Sequence, residues 1–174
     1  ARAEEVRAAS ITAVHLPQGG MPALGDNPLF LGCADYRSTI ASNGESSGFT
    51  FPEEMRRHAD KGTALVTDKD PGDAEIAEVV SQAAAHSCIV LGTYNGHILQ
   101  GQLRLAKALA ATGLPMILVA LRNPYDLRNM PDHVAALAGW EYTRPLFDAL
   151  WPVLNGTVRP TGKLPLLTLT KAAK

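Results

Sequence analysis

The 174-residue sequence predicts an α/β protein, a doubly wound three-layer sandwich built on a mostly parallel sheet of about six strands. Short apolar runs recur at 11–16, 28–33, 64–67, 88–92, 116–121 and 134–138. Runs such as Cys88-Ile89-Val90-Leu91-Gly92 and Met116-Ile117-Leu118-Val119-Ala120-Leu121 are apolar throughout, as inner strands covered on both faces must be. Between the runs, apolar residues return at helical spacing.

The elements follow in order. The chain opens without Met on Ala1-Arg2-Ala3-Glu4-Glu5, which reads as mid-helix with no start signal, so residues 1–10 are expected to be an entering helix or linker from a preceding domain. Residues 42–48, rich in Ser, Gly and Asn, read as a loop after the second strand. After the turn Pro71-Gly72-Asp73, the stripe Ile76, Val79, Val80, Ala83 and Ala84 predicts a helix with one buried face. Leu99, Leu103, Ala106 and Ala110 predict another, ending at Thr112-Gly113-Leu114-Pro115 before the fifth strand. A last helix is expected from the N-cap Thr143, with Pro145 in its first turn, Leu146, Leu150 and Leu154 inward, and Asn155-Gly156 as its stop. Residues 1–174 are therefore expected to form one α/β domain, flavodoxin-like in outline.

Composition narrows the function. Sixteen Lys and Arg oppose 17 Asp and Glu with no block of either sign, so there is no electrostatic footprint for nucleic acid. No apolar stretch reaches the roughly 20 residues of a membrane-spanning helix, and cytoplasmic and secreted settings both stay open. Cys33 and Cys88 lie inside apolar runs without zinc or Cys-x-x-Cys spacing, and read as buried thiols. His15, His58, His86 and His133 are scattered without metal-ligand spacing, and no cofactor is expected.

Ligands of open α/β sheets bind beyond the carboxyl ends of the strands. Tyr94 and Asn95 after the fourth strand, and Arg122, Asn123 and Tyr125 after the fifth, are the candidates for a substrate-binding or domain-interface edge. His97 has no carboxylate near it in sequence and reads as a surface or capping histidine. Cys33 ends a strand, as some α/β nucleophiles do, but the following Ala34-Asp35-Tyr36 lacks the small residues of a nucleophile elbow. The run from Gly156 to Leu164 has five residues between its glycines, and Leu164 where a phosphate loop needs Ser or Thr.

That run, with Pro160-Thr161-Gly162-Lys163-Leu164-Pro165 after a helix and Asn155-Gly156, resembles the closing signature of family 3 glycoside hydrolases. Ala120-Leu121-Arg122-Asn123-Pro124-Tyr125-Asp126-Leu127 is similar to the fifth-strand motif of the N-acetylglucosaminidase branch. Leu137-Ala138-Gly139-Trp140-Glu141-Tyr142-Thr143, Gly92-Thr93-Tyr94-Asn95 and Gly101-Gln102 fit the same pattern, and the similarity spans most of the chain. The resemblance implies the C-terminal α/β sandwich domain of such an enzyme, packed beside an N-terminal (β/α)8 barrel that carries the aspartate nucleophile. It also implies that carbohydrate is met only through the intact enzyme.

A retaining glycosidase needs a nucleophile and a general acid or base about 5 Å apart. The resemblance puts the nucleophile in the barrel. In the β-glucosidase branch this second domain supplies a glutamate from a long loop, whereas residues 93–102 hold neither Asp nor Glu. In the N-acetylglucosaminidase branch the resemblance gives the acid role to a barrel histidine. No catalytic residue is therefore assigned to this chain, which is expected to be inactive alone. Two other readings stand beside this one: a free-standing small-molecule or sugar binding module, which would close a pocket with its own residues, and a Cys33 hydrolase, which would need a histidine partner.

Overall fold

A computed structural model describes residues 6, 9–34 and 48–164. The strands are β1 (Thr12–His15), β2 (Pro28–Cys33), β3 (Thr63–Thr67), β4 (Cys88–Thr93), β5 (Met116–Ala120) and β6 (Val134–Ala138). The helices described in full are α1 (Phe51–Ala59), α2 (Asp73–Ala83), α3 (Gln100–Ala110) and α4 (Arg144–Leu154), and Pro124–Leu127 form a 3-10 turn. Residues 6, 9 and 10 of the expected entering helix are helical, while the rest of it, and the expected loop up to residue 47, lie outside the described residues.

The sheet runs β1-β6-β5-β4-β2-β3, with β2 to β6 parallel and β1 antiparallel to β6. Leaving out β1, this is the flavodoxin-like order, in which the chain winds outward both ways from a switch point between β2 and β4. Because side chains alternate along each strand, apolar-throughout strands feed two cores. Phe30, Val90, Ile117, Val119 and Leu137 pack with Phe51 and Met55 of α1 and Leu146, Phe147 and Leu150 of α4. On the other face Leu31, Ile89, Leu91, Leu118 and Ala136 pack with Val79 and Ala83 of α2 and Leu105 and Leu109 of α3. Truncating one such leucine to alanine costs about 2–5 kcal/mol.

Several expectations change. The run 64–67, expected as a buried strand, is only partly buried: β3 is an edge, and Val66 is 43% exposed. In α3 the buried stripe is Gln102, Leu105, Ala106, Leu109 and Ala110, with Leu99 and Leu103 only half-buried. Gln102 breaks the apolar pattern because its side chain bonds backbone: Oε1 accepts from Tyr94 N at 2.8 Å, and Nε2 donates to Lys69 O at 2.7 Å and Tyr94 O at 3.1 Å. Ala84 is the exposed C-cap of α2.

Helix α1 has no counterpart among the expected helices, although its start signal is local. Thr50 Oγ1 accepts from the Glu53 amide at 3.4 Å and donates to the Glu53 carboxylate at 2.6 Å, a capping arrangement with Pro52 in the first turn. Glu54 then accepts from Arg57 Nε within α1 and from Arg144 Nε of α4, each at 3.0 Å, and the second bond ties α1 to α4. Burial alone would push the Glu54 carboxyl up, but hydrogen bonds and charge from the two arginines outweigh it and hold it below its ordinary range. No helix among the described residues is long and apolar enough to cross a membrane.

Candidate functional site

The switch point between β2 and β4 is where an open sheet of this order offers its crevice. Here aromatic rings fill it. Gly92 has no side chain, and a Cβ there would come within 2.5 Å of the Phe51 ring, so Phe51 lies directly on the strand end. Tyr142 Oη donates to Cys33 O at 3.0 Å and accepts from Phe51 N at 2.8 Å. Its ring meets Tyr94 edge-on at 5.4 Å and Phe147 at 5.1 Å. Cys33 is 3% exposed within this core, where a thiol cannot meet a substrate, and the nucleophile reading of Cys33 falls.

The open part of the edge lies over β4 and β5, whose following loops are adjacent because the strands are paired. Asn95, at φ 57°, is one of the residue types that tolerates the left-handed region. Its carbonyl accepts from the amides of Ile98 at 2.9 Å and Leu99 at 3.1 Å, and the residue is only 6% exposed. Tyr94 is likewise buried, at 8%. These two candidates shape the edge from beneath.

Arg122, Asn123 and Tyr125 form its surface. Arg122 is exposed, with Nη1 donating to the Tyr94 hydroxyl at 3.0 Å and the guanidinium 5.5 Å from the Tyr94 ring centroid. Asn123 caps the 3-10 turn through Oδ1, which accepts from Tyr125 N at 3.1 Å. Tyr125 is 39% exposed and carries the Arg128 guanidinium 4.5 Å from its ring centroid.

His97 is more than a surface histidine. Asp126, fully buried and 29 residues away in sequence, accepts from the Gly96 amide at 2.9 Å and the His97 amide at 2.7 Å, and its Oδ1 lies 3.3 Å from His97 Nδ1. One carboxylate thus ties the β4 loop to the β5 loop and fixes a ring at the edge. Sequence reasoning missed the pair because only strand pairing brings it together.

The quoted motifs also acquire physical reasons. A Cβ on Gly101 would collide with the Pro71 carbonyl, and the Gly101 amide donates to Asp70 Oδ1 at 2.6 Å, closing α3 onto the loop after β3. Trp140, at φ 75°, turns the chain after β6, and its indole N–H donates to Ser10 O at 2.9 Å. Gly162 donates to Ile11 O at 3.0 Å and lies too close to residues 10–12 for any side chain.

Neither protein-family models nor curated proteins yield a match to this chain. Solved structures do. A glycoside hydrolase family 3 β-N-acetylglucosaminidase from Paenibacillus sp. str. FPU-7 superposes with a TM-score of 0.80 at 24% identity, over 98% of this chain and 32% of that one. A fungal multi-domain family 3 β-N-acetylglucosaminidase with a GCN5-related glucosamine N-acetyltransferase region gives 0.71 at 18% identity, over 93% of this chain and 18% of that one. A β-glucosidase from Listeria innocua, in complex with isofagomine, gives 0.72 at 17% identity, over 94% of this chain and 26% of that one. The fold is thus the α/β sandwich found in family 3 glycoside hydrolases, as the motif resemblance implied. The chain spans about a third or less of these enzymes and corresponds to one part of them.

Proposed function

We propose that this chain is the C-terminal α/β domain of a retaining, exo-acting β-N-acetylhexosaminidase of glycoside hydrolase family 3. In this reading residues 1–10 enter from a (β/α)8 barrel, and the edge made by Tyr94, Asn95, Arg122, Asn123 and Tyr125 faces that barrel. The observation that carries it is the likeness over nearly the whole chain to a β-N-acetylglucosaminidase. The connection between β4 and α3 supports the same branch, since residues 94–99 are too few for a long acid-bearing loop and contain no carboxylate. Fold alone does not fix activity, so the substrate class rests on the motifs as well.

The buried aromatic plug speaks against a free-standing binding module, because the crevice such a module would use is occupied by Phe51 and Tyr142. Mixing the chain with a separately produced barrel region of its parent protein tests the domain reading. Sedimentation should give a one-to-one complex, weakened by Arg122→Ala. Two species that sediment independently would count against the pairing.

A further inference from the structure

We infer that His97 and Asn123 form a binding site for one hydroxyl of a pyranoside, with Asp126 as the positioning residue. The site deepens the proposed function and rests on it for the class of ligand. Both Asp126 oxygens already accept backbone N–H groups, so its contact with His97 Nδ1 is one in which the ring nitrogen donates. The proton is then held on Nδ1, and in the neutral ring Nε2 offers a lone pair. The imidazole side chain is 30% exposed while the carboxylate behind it is fully buried, so the ring is fixed from within and open without.

Asn123 supplies the complement. Its Oδ1 is engaged by the Tyr125 amide, and its Nδ2 lies 3.5 Å from His97 Nε2, too long for a strong N–H···N bond. An oxygen seated on the exposed side of this pair, not between the two, lies within about 2.8–3.0 Å of both nitrogens. A hydroxyl is the group that can donate to one and accept from the other. Tyr125, its ring centroid 6.3 Å from that of His97 and partly exposed, gives an apolar wall for the C–H face of a sugar ring.

Nitrogen-detected NMR of the 174-residue chain tests this. The spectrum should show His97 as the Nδ1–H tautomer. Titration with the methyl β-glycoside of N-acetylglucosamine should move the His97 Nε2 and Asn123 side-chain amide signals saturably, with a Kd of roughly millimolar order. His97→Ala, and Asn123→Asp, which keeps the Oδ1 cap on the Tyr125 amide and loses the Nδ2 donor, should each weaken binding about tenfold or more with the thermal midpoint nearly unchanged. An Nε2–H tautomer, shifts that never saturate, or binding indifferent to both substitutions would each overturn the site while leaving the domain reading to its own activity measurement. Methyl β-glucoside is the separating arm. Equal binding would uphold the hydroxyl site and count against the N-acetylhexosaminide reading, and preference for the N-acetyl sugar would support both.

Discussion

The Tyr142 hydroxyl donates to the Cys33 carbonyl at 3.0 Å, joining two residues 109 positions apart at the end of β2 where the sheet would otherwise open. The same oxygen accepts from the Phe51 amide, so one phenol satisfies two backbone groups. Tyr142→Phe removes both bonds, and should destabilise the chain by about 1–3 kcal/mol. Chemical denaturation checks this, and an unchanged midpoint would show that the hydroxyl is dispensable.

Val90 and Leu118 sit in opposite cores, each fully buried. An aspartate at either position would place an unpaired charge in the interior, so Val90→Asp and Leu118→Asp should abolish the cooperative thermal transition. A melt like that of the parent would overturn the two-core sheet.

Cys88 is fully buried, and burial pushes its thiol up to about 12 from an ordinary 9.0. The native thiol should therefore resist alkylation at neutral pH and react only on unfolding. Because the unfolded chain loses this proton first, the native state binds more protons in that window. Stability from this group should be intact below about pH 9 and fall as pH rises toward about 12. Denaturation midpoints of the parent and Cys88→Ala across that range should converge at high pH, and parallel curves would refute the assignment.

The layers were legible because β2, β4, β5 and β6 are apolar at nearly every position, a pattern that follows from burial on both faces. The edge position of β3 was not, since Ala64-Leu65-Val66 reads like any other short apolar run and only pairing order reveals that it lacks a second neighbour. Gln102 misled the reading of α3 because its burial is offset by hydrogen bonds to distant backbone. Strand-end logic singled out Tyr94, Asn95, Arg122, Asn123 and Tyr125 as candidates, but not how their side chains are held. Asn95, a candidate for the edge, is a buried turn residue beneath it, while His97, which has no carboxylate near it in sequence, is held by Asp126 from the neighbouring strand's loop.

Arg122 separates a functional edge from a structural cap. Its bond to Tyr94 is made from an exposed side chain, so Arg122→Ala should move the thermal midpoint of the isolated chain little. If the chain is joined to a barrel as proposed, the same change should lower kcat/KM of the joined protein about tenfold or more, as expected when a charged group desolvated at an interface is truncated. Retained activity with a destabilised chain would make it a cap.

If the chain is the non-catalytic domain proposed above, the catalytic groups lie in the barrel. Hydrolysis of a chromogenic N-acetyl-β-glucosaminide separates the cases, assayed for the chain alone after a sharp melt has shown it folded and for the chain joined to a barrel region of its parent protein. The chain alone should show no turnover above background, and the joined protein should turn over with retained anomeric configuration. Turnover by the chain alone that survives exhaustive purification and scales with its concentration would contradict the proposal.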